Sequence, residues 1–231
     1  MSKKSFVIIC IFAALVIVGG IWFQNRPKPS SQNQGKVLAD KERKLTAEAQ
    51  KIYTDNIKKA EENLRSLKPN DPKLFLAQIN DYLYLGQQYF GLGQLEKSKK
   101  SYLKVLEIEP NYESATVGLA VTYSDAGELN EAGSLLQAAI KNNPKNYNLW
   151  LQFIDIRKTM GSSSEEINKI FQDALAGTNN YPDVVTRYAE FLESLGKISE
   201  AIAQWQQAIK INPQGATVYN QEISRLKKLP Q

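Results

Sequence analysis

Histidine is absent from this 231-residue chain, and cysteine occurs once, as Cys10. The first absence removes the commonest general base and a frequent metal ligand. The second leaves everything after Cys10 without a thiol for a disulfide, a zinc site or a nucleophile. No glycine-rich phosphate loop or calcium-loop spacing is present either. The adjacent acids Glu61-Glu62 and Glu165-Glu166 would point to different parts of a helix surface. Catalysis has little to work with, so the expectation is a non-enzyme with no catalytic residue, no metal site and no cofactor. A basic excess is also lacking over most of the chain. The formal charge is +5, yet residues 71–231 hold sixteen Lys/Arg against eighteen Asp/Glu, while residues 24–70 hold eleven against six. Nucleic-acid binding needs a basic face on the folded domain, so nucleic acid is not expected as a partner, nor is a small-molecule substrate. The basic segment 24–70 suits either the neighbourhood of anionic headgroups or a solvated helix face.

What the chain does have is one long apolar run. Residues 6–23 read FVIICIFAALVIVGGIWF, without a charge, an amide or a proline. As a helix rising about 1.5 Å per residue, the run spans roughly 27 Å, close to the hydrocarbon thickness of a bilayer. A buried core helix would carry a polar face, and this run has none. A cleaved signal peptide is the competing reading, with Val18-Gly19-Gly20 as the cut, but such signals have a shorter apolar region. The run continues through Ile21, Trp22 and Phe23, and Trp22 suits an interfacial anchor. A retained anchor, bounded by Phe6 and Phe23, is therefore favoured. Cys10 follows Ile9 and lies too early in the run for a lipoprotein signal.

Residues 1–5 then form a short tail and 24–36 a flexible stalk, rich in proline, serine and amides. Residues 37–69 contain a long stretch of helix formers, with Tyr53, Ile57, Ala60, Leu64 and Leu67 on one stripe. The stripe is too short for a coiled coil and predicts a helix that packs as a cap on the remainder of the chain. Pro69-Asn70-Asp71-Pro72 breaks the chain.

From there the sequence repeats. Leu85-Gly86, Tyr89, Gly93 and Pro110 recur 34 residues later as Leu119-Ala120, Tyr123, Gly127 and Pro144. Ser98, Tyr102 and Val105 recur as Ala132, Leu136 and Ala139. A further copy appears as Tyr188-Ala189, Leu192, Gly196, Ala201, Trp205, Ala208 and Pro213. Self-similarity at this period marks a stacked array of helical hairpins. The residues resemble the tetratricopeptide-repeat family, whose pattern runs from a bulky residue through Leu-Gly, Tyr, a turn glycine, Ala, an aromatic and Ala to Pro. The resemblance covers residues 72–215, about two thirds of the chain when the capping segment is counted, in units 79–112, 113–146, 147–181 and 182–215. It implies an all-α solenoid of about four hairpins, preceded by the anchor, stalk and N-terminal helix. Residues 216–231 would add a capping helix with Tyr219, Ile223 and Leu226 on its inner side.

The third unit departs from the pattern. Ile154 replaces the small residue, one residue is inserted within 161–166, and Asn179 stands where proline should close the unit. Ser163 with Glu166 would form a capping box, which keeps a second helix in place.

In such arrays the first helix of each hairpin lines the concave side. The resemblance places Leu83, Tyr84, Gln87 and Phe90 of the first unit in the groove, then Val117, Gly118 and Val121 of the second. Leu151, Gln152, Asp155 and Lys158 belong to the third, and Thr186, Arg187, Glu190 and Glu193 to the fourth. The groove would grade from apolar to charged and suit a peptide with one apolar and one polar end. Leu83, Gln87, Gly118, Asn148 and Gln152 stand where chaperone-binding relatives carry a carboxylate clamp, without its lysines and arginine, so an acidic chaperone tail is not the expected ligand.

The functional expectation is a membrane-anchored scaffold for a protein or peptide partner, in envelope complex assembly or quality control. The alternatives are a self-associating organiser and a non-catalytic subunit of an enzyme complex. A homo-oligomer is compatible with the sequence but not indicated by it. Lys3 and Lys4 before the run favour export of the repeats; Arg26, Lys28, Lys36, Lys41 and Arg43 after it favour a cytoplasmic orientation. Long domains translocate despite such charges, so an extracytoplasmic repeat domain is expected.

Overall fold

The computed structural model describes residues 37–68 and 73–229. The anchor expected over 6–23, with Phe6, Trp22 and Phe23, lies outside the described residues, as do the stalk and the break at 69–72. Among the described residues, no helix is long and apolar enough to cross a membrane.

Ten α-helices and no strands make up the described part. They are α1 (Ala47–Ser66), α2 (Leu74–Gly91), α3 (Leu95–Ile108), α4 (Glu113–Asp125) and α5 (Leu129–Asn142). After these come α6 (Tyr147–Thr159), α7 (Ser164–Gly177), α8 (Pro182–Ser194), α9 (Ile198–Ile211) and α10 (Ala216–Leu226). The pairs α2–α3, α4–α5, α6–α7 and α8–α9 are the four hairpins that the 34-residue period predicts.

Local chemistry sets the punctuation. Gly93, Gly127, Gly161 and Gly196 take φ of 75°, 81°, 78° and 72° in the turns inside the hairpins. The end of each second helix is fixed differently. Proline disfavours the helical region for the residue before it. Glu109, Asn143 and Asn212, each preceding a proline, are accordingly pulled to φ between −131° and −138°, closing α3, α5 and α9. The third unit lacks that proline. There α7 ends at two successive left-handed asparagines, Asn179 (φ 55°) and Asn180 (φ 57°), residues whose short side chains tolerate that conformation.

The hairpins close on small residues. In the first, the Ser98 hydroxyl donates to the Gly86 carbonyl at 2.9 Å, and a Cβ on Gly86 would stand 2.7 Å from the Tyr102 ring. In the third, Ile154 and Ile167 occupy the corresponding region, both buried, and α6 and α7 meet more sparsely than the helices of the other hairpins. The core divides at this unit. One cluster runs from Leu38 and Ile79 through Leu136 to Ile156; another holds Ile154, Phe171, Trp205 and Leu226. Trp150 packs against both and donates its indole N–H to the Pro144 carbonyl at 2.8 Å. The capping box is present: Ser163 and Glu166 bond reciprocally at the start of α7.

The segment before α2 differs from its expected form. Helix does not extend over 37–69; it starts at Ala47, where the Thr46 side chain caps it by accepting from the Ala49 amide at 3.1 Å. Residues 38–46 are a non-helical strap laid along the first hairpin. Leu38 is buried in the main core at 3% exposure, and its amide donates to Glu96 Oε2 at 2.8 Å. The Lys41 amide donates to the Gly93 carbonyl at 2.8 Å. Helix propensity loses here because the strap finds partners for its backbone and a core site for Leu38 that a continued helix would not reach. The stripe on α1 lies against α2: Ala60 is buried beside Leu85 and Tyr89, with Ile57 and Leu64 around them. At the other end, α10 sets Ile223 and Leu226 into the second cluster, while Tyr219 packs on Trp205 with ring centres 5.7 Å apart.

Candidate functional site: the inner face of the repeats

The first helices of successive hairpins touch one another (α2 with α4, α4 with α6, α6 with α8), whereas their second helices form no comparable contacts with each other among the described residues. Two layers of equal length would meet equally. The first-helix layer is therefore the tighter, inner side of the curve, and its free face is the candidate site.

Residues 83, 87 and 90 keep helical spacing along α2, as 117 and 121 do on α4. Leu83, Phe90 and Val117 are half-buried and pack against the main core; Val121 is half-buried; Gln87 is exposed and Tyr84 keeps 39% exposure. Extending the stripe two turns back from Leu83 reaches Leu76, which is 60% exposed. The sequence reading missed Leu76 because α2 begins at Leu74, five residues before the repeat unit. The signal that would have found it is the seven-residue spacing from Leu83, equal to nearly two helical turns.

Gly118, half-buried on α4, packs against the preceding hairpin. A Cβ there would collide with the Tyr102 ring of α3, so this glycine admits a tyrosine from the preceding hairpin. Arg187 holds the equivalent place in α8, and it too faces the preceding repeat: its guanidinium donates to Asp155 Oδ1 on α6 at 2.8 Å. The charged end of the face is thus largely paired within the protein. Glu193 accepts two bonds from Arg225 of α10, at 2.8 and 2.7 Å, and these hold its carboxyl below the usual carboxylate range. Asn148 donates to Glu113 Oε1 at 2.9 Å, which binds α6 to α4.

Lys158 and Glu190 remain exposed, and Gln152 is half-buried. The Lys158 ammonium lies 5.4 Å from the Phe171 ring centre and 5.2 Å from that of Phe191. Partial desolvation over these rings pushes its pKa down; Asp155 and Glu190 oppose the shift, and the Arg187 guanidinium adds to it.

Phe90 is covered. The Arg43 guanidinium of the strap sits 5.0 Å above its ring and donates to its carbonyl at 3.4 Å. Arg43 also bonds Asp125 at the end of α4, where Lys41 joins it at 2.6 Å. The strap therefore closes one end of the apolar stripe. No periodicity marked Asp125, Lys41 or Arg43, since they meet across more than 80 residues of sequence.

This geometry, a curved stack of helical hairpins with an open inner face, is that of a repeat solenoid. Residues 82–112 match the family model described as tetratricopeptide repeat, and residues 193–221 match one described as TPR repeat. The chain carries tetratricopeptide repeats and folds as an all-α tetratricopeptide-repeat solenoid, a class that mediates protein–protein interaction. It is 25% identical over 144 residues to tetratricopeptide repeat protein 6 of Homo sapiens, covering 61% of this chain and 27% of that protein. It is 34% identical over 84 residues to the uncharacterized protein ycf37 of Pyropia yezoensis, covering 36% of this chain and 46% of that one. The chain thus spans between about a quarter and a half of the length of these curated relatives. The solved structure of TTC0263, a thermophilic TPR protein of Thermus thermophilus, is similar with a TM-score of 0.51 at 21% identity, over 79% of this chain and 94% of that one; the likeness concerns the fold.

Proposed function

We propose that this chain is a membrane-tethered, non-catalytic scaffold that binds a protein or peptide partner along the inner face of its repeats. The observation that carries the reading is the contrast between the two ends of that face. The Asp155–Arg187 and Glu193–Arg225 pairs engage part of the charge of α6, α8 and α10 internally, whereas Leu76 and Tyr84 stay open beside half-buried Leu83, Val117 and Val121. An apolar segment of a partner, helical or extended, would bury its side chains over α2 and α4. The apolar run 6–23 supports tethering. Export of the repeats is inferred from Lys3 and Lys4 ahead of that run, and work in envelope complex assembly or quality control from the run, the stalk and the repeat array together.

The test is a photoreactive amino acid at Gln87, on the inner face, set against the same group at Gln137, exposed on α5. A discrete adduct from Gln87 alone, lost on Tyr84→Glu, is expected. Equal adducts from both positions would move the interface off the inner face.

A further inference from the structure

The strap behaves as a ligand. Residues 38–43 touch the edge of the first two repeats through three kinds of contact. Their backbone is read by the Gly93 carbonyl and the Glu96 carboxylate. Leu38 fills a closed apolar site. Lys41 and Arg43 converge on Asp125, with Arg43 also stacked over Phe90. Extended segments are commonly recognised this way, with main-chain bonds giving affinity and side-chain pockets giving specificity.

The receiving surface is shaped for the segment. Of the four left-handed turn glycines, Gly127, Gly161 and Gly196 face open space, but a Cβ on Gly93 would coincide with the Lys41 carbonyl oxygen. Gly93 thus serves the turn and also admits a second backbone. Glu96 is prepared as well: the Lys99 ammonium, itself buried, lies 2.9 Å away, and Lys100 approaches at 3.5 Å. The carboxylate stays ionised to accept the Leu38 amide, and its pKa lies below the ordinary value, burial opposing and the Leu38 amide with Lys99 favouring the shift.

We propose that Phe90, Gly93, Glu96 and Asp125 form a binding site for extended segments of the form apolar–x–x–basic–x–basic, and that residues 38–43 fill it in cis. A tethered segment acts at an effective concentration on the order of millimolar. A free segment of the same form therefore binds only when the strap leaves, and binding outside displaces the strap and uncovers Phe90. This inference stands apart from the inner-face reading, because its test uses only the chain's own segment.

The test uses the full chain and a labelled peptide of residues 37–45, VLADKERKL, monitored by fluorescence polarisation together with amide exchange at residues 38 and 41. In Lys41→Ala/Arg43→Ala, exchange at both amides should accelerate, and the peptide should bind about tenfold or more tighter than it does to the unaltered chain, whose site is filled. In Asp125→Lys the strap should also be released, yet the peptide should not bind, because the site has lost its acid. A scrambled peptide should bind neither variant. Strap amides that stay protected in both variants would overturn the proposal, as would a released strap whose site ignores the peptide or takes the scrambled one equally well.

Discussion

Tyr89 donates its hydroxyl to Glu61 at 2.8 Å, and burial followed by that acceptor pushes its pKa up to about 12. Burial alone raises Tyr102 to about 12, and burial with Glu131, Glu96 and Glu128 does the same for Tyr123. An unfolded phenol titrates near about 10. Each group thus has a folded pKa above its unfolded one, so its contribution to stability is complete below about 10 and is lost as pH rises through about 12. The urea midpoint is expected to hold steady up to about pH 10 and to fall between about 10 and 12. The drop should be shallower in Tyr89→Phe, and the tyrosinate absorbance of these three side chains should appear together with unfolding. Early ionisation of all eleven tyrosines without loss of structure would contradict the burial assigned to these three.

At the scale of elements, the third hairpin carries the consequence of two bulky residues where its neighbours are small. Ile154 and Ile167 hold α6 and α7 apart, and Ile154 fills the gap at 0% exposure. Ile154→Ala removes buried methyl groups where well-packed helices on both sides limit collapse, and it is expected to cost about 2–5 kcal/mol. Urea denaturation measures this directly. Ser134→Ala, exposed on α5, serves as the comparison, with an expected change within about 0.5 kcal/mol. The same sequence positions explain why the hairpins were legible. Glycine turns and pre-proline closures act within a few residues, so the period exposes them without knowledge of the fold. The strap was not legible, because residues 37–46 contain no proline or glycine and their helix propensity is overridden by Gly93, Glu96 and Asp125, distant in sequence.

For the whole molecule, charge and apolar surface are distributed unevenly. The basic excess falls in 24–70, beside the apolar run, while the repeats are close to neutral. If the run is a retained anchor, the full chain should stay in the membrane fraction through alkaline carbonate extraction. In a Cys10→Ser background, a cysteine at Ser31 should react with an impermeant maleimide on intact cells. Labelling only after lysis would reverse the orientation, and release by carbonate would remove the tether. On the helices from which the groove was expected, several of the expected residues are already engaged within the protein. Gly118 turned out to be a packing position, Phe90 to be covered, and Asp155 with Arg187 to be paired. Helical spacing says which residues share a face, but it does not say which of them a neighbouring repeat has already claimed.

The sequence by itself determined the hairpin count, the turn and closure positions, the capping box at Ser163 and the absence of thiol and imidazole chemistry beyond Cys10. Each of these comes from composition or from interactions that span one helical turn or one 34-residue period. Only the tertiary structure decided the strap, the split of the core at Trp150 and Ile154, and the internal pairing of the charged end. Those features depend on which side chains meet when α1 and successive repeats stack, and stacking energy comes from surfaces that no single unit contains.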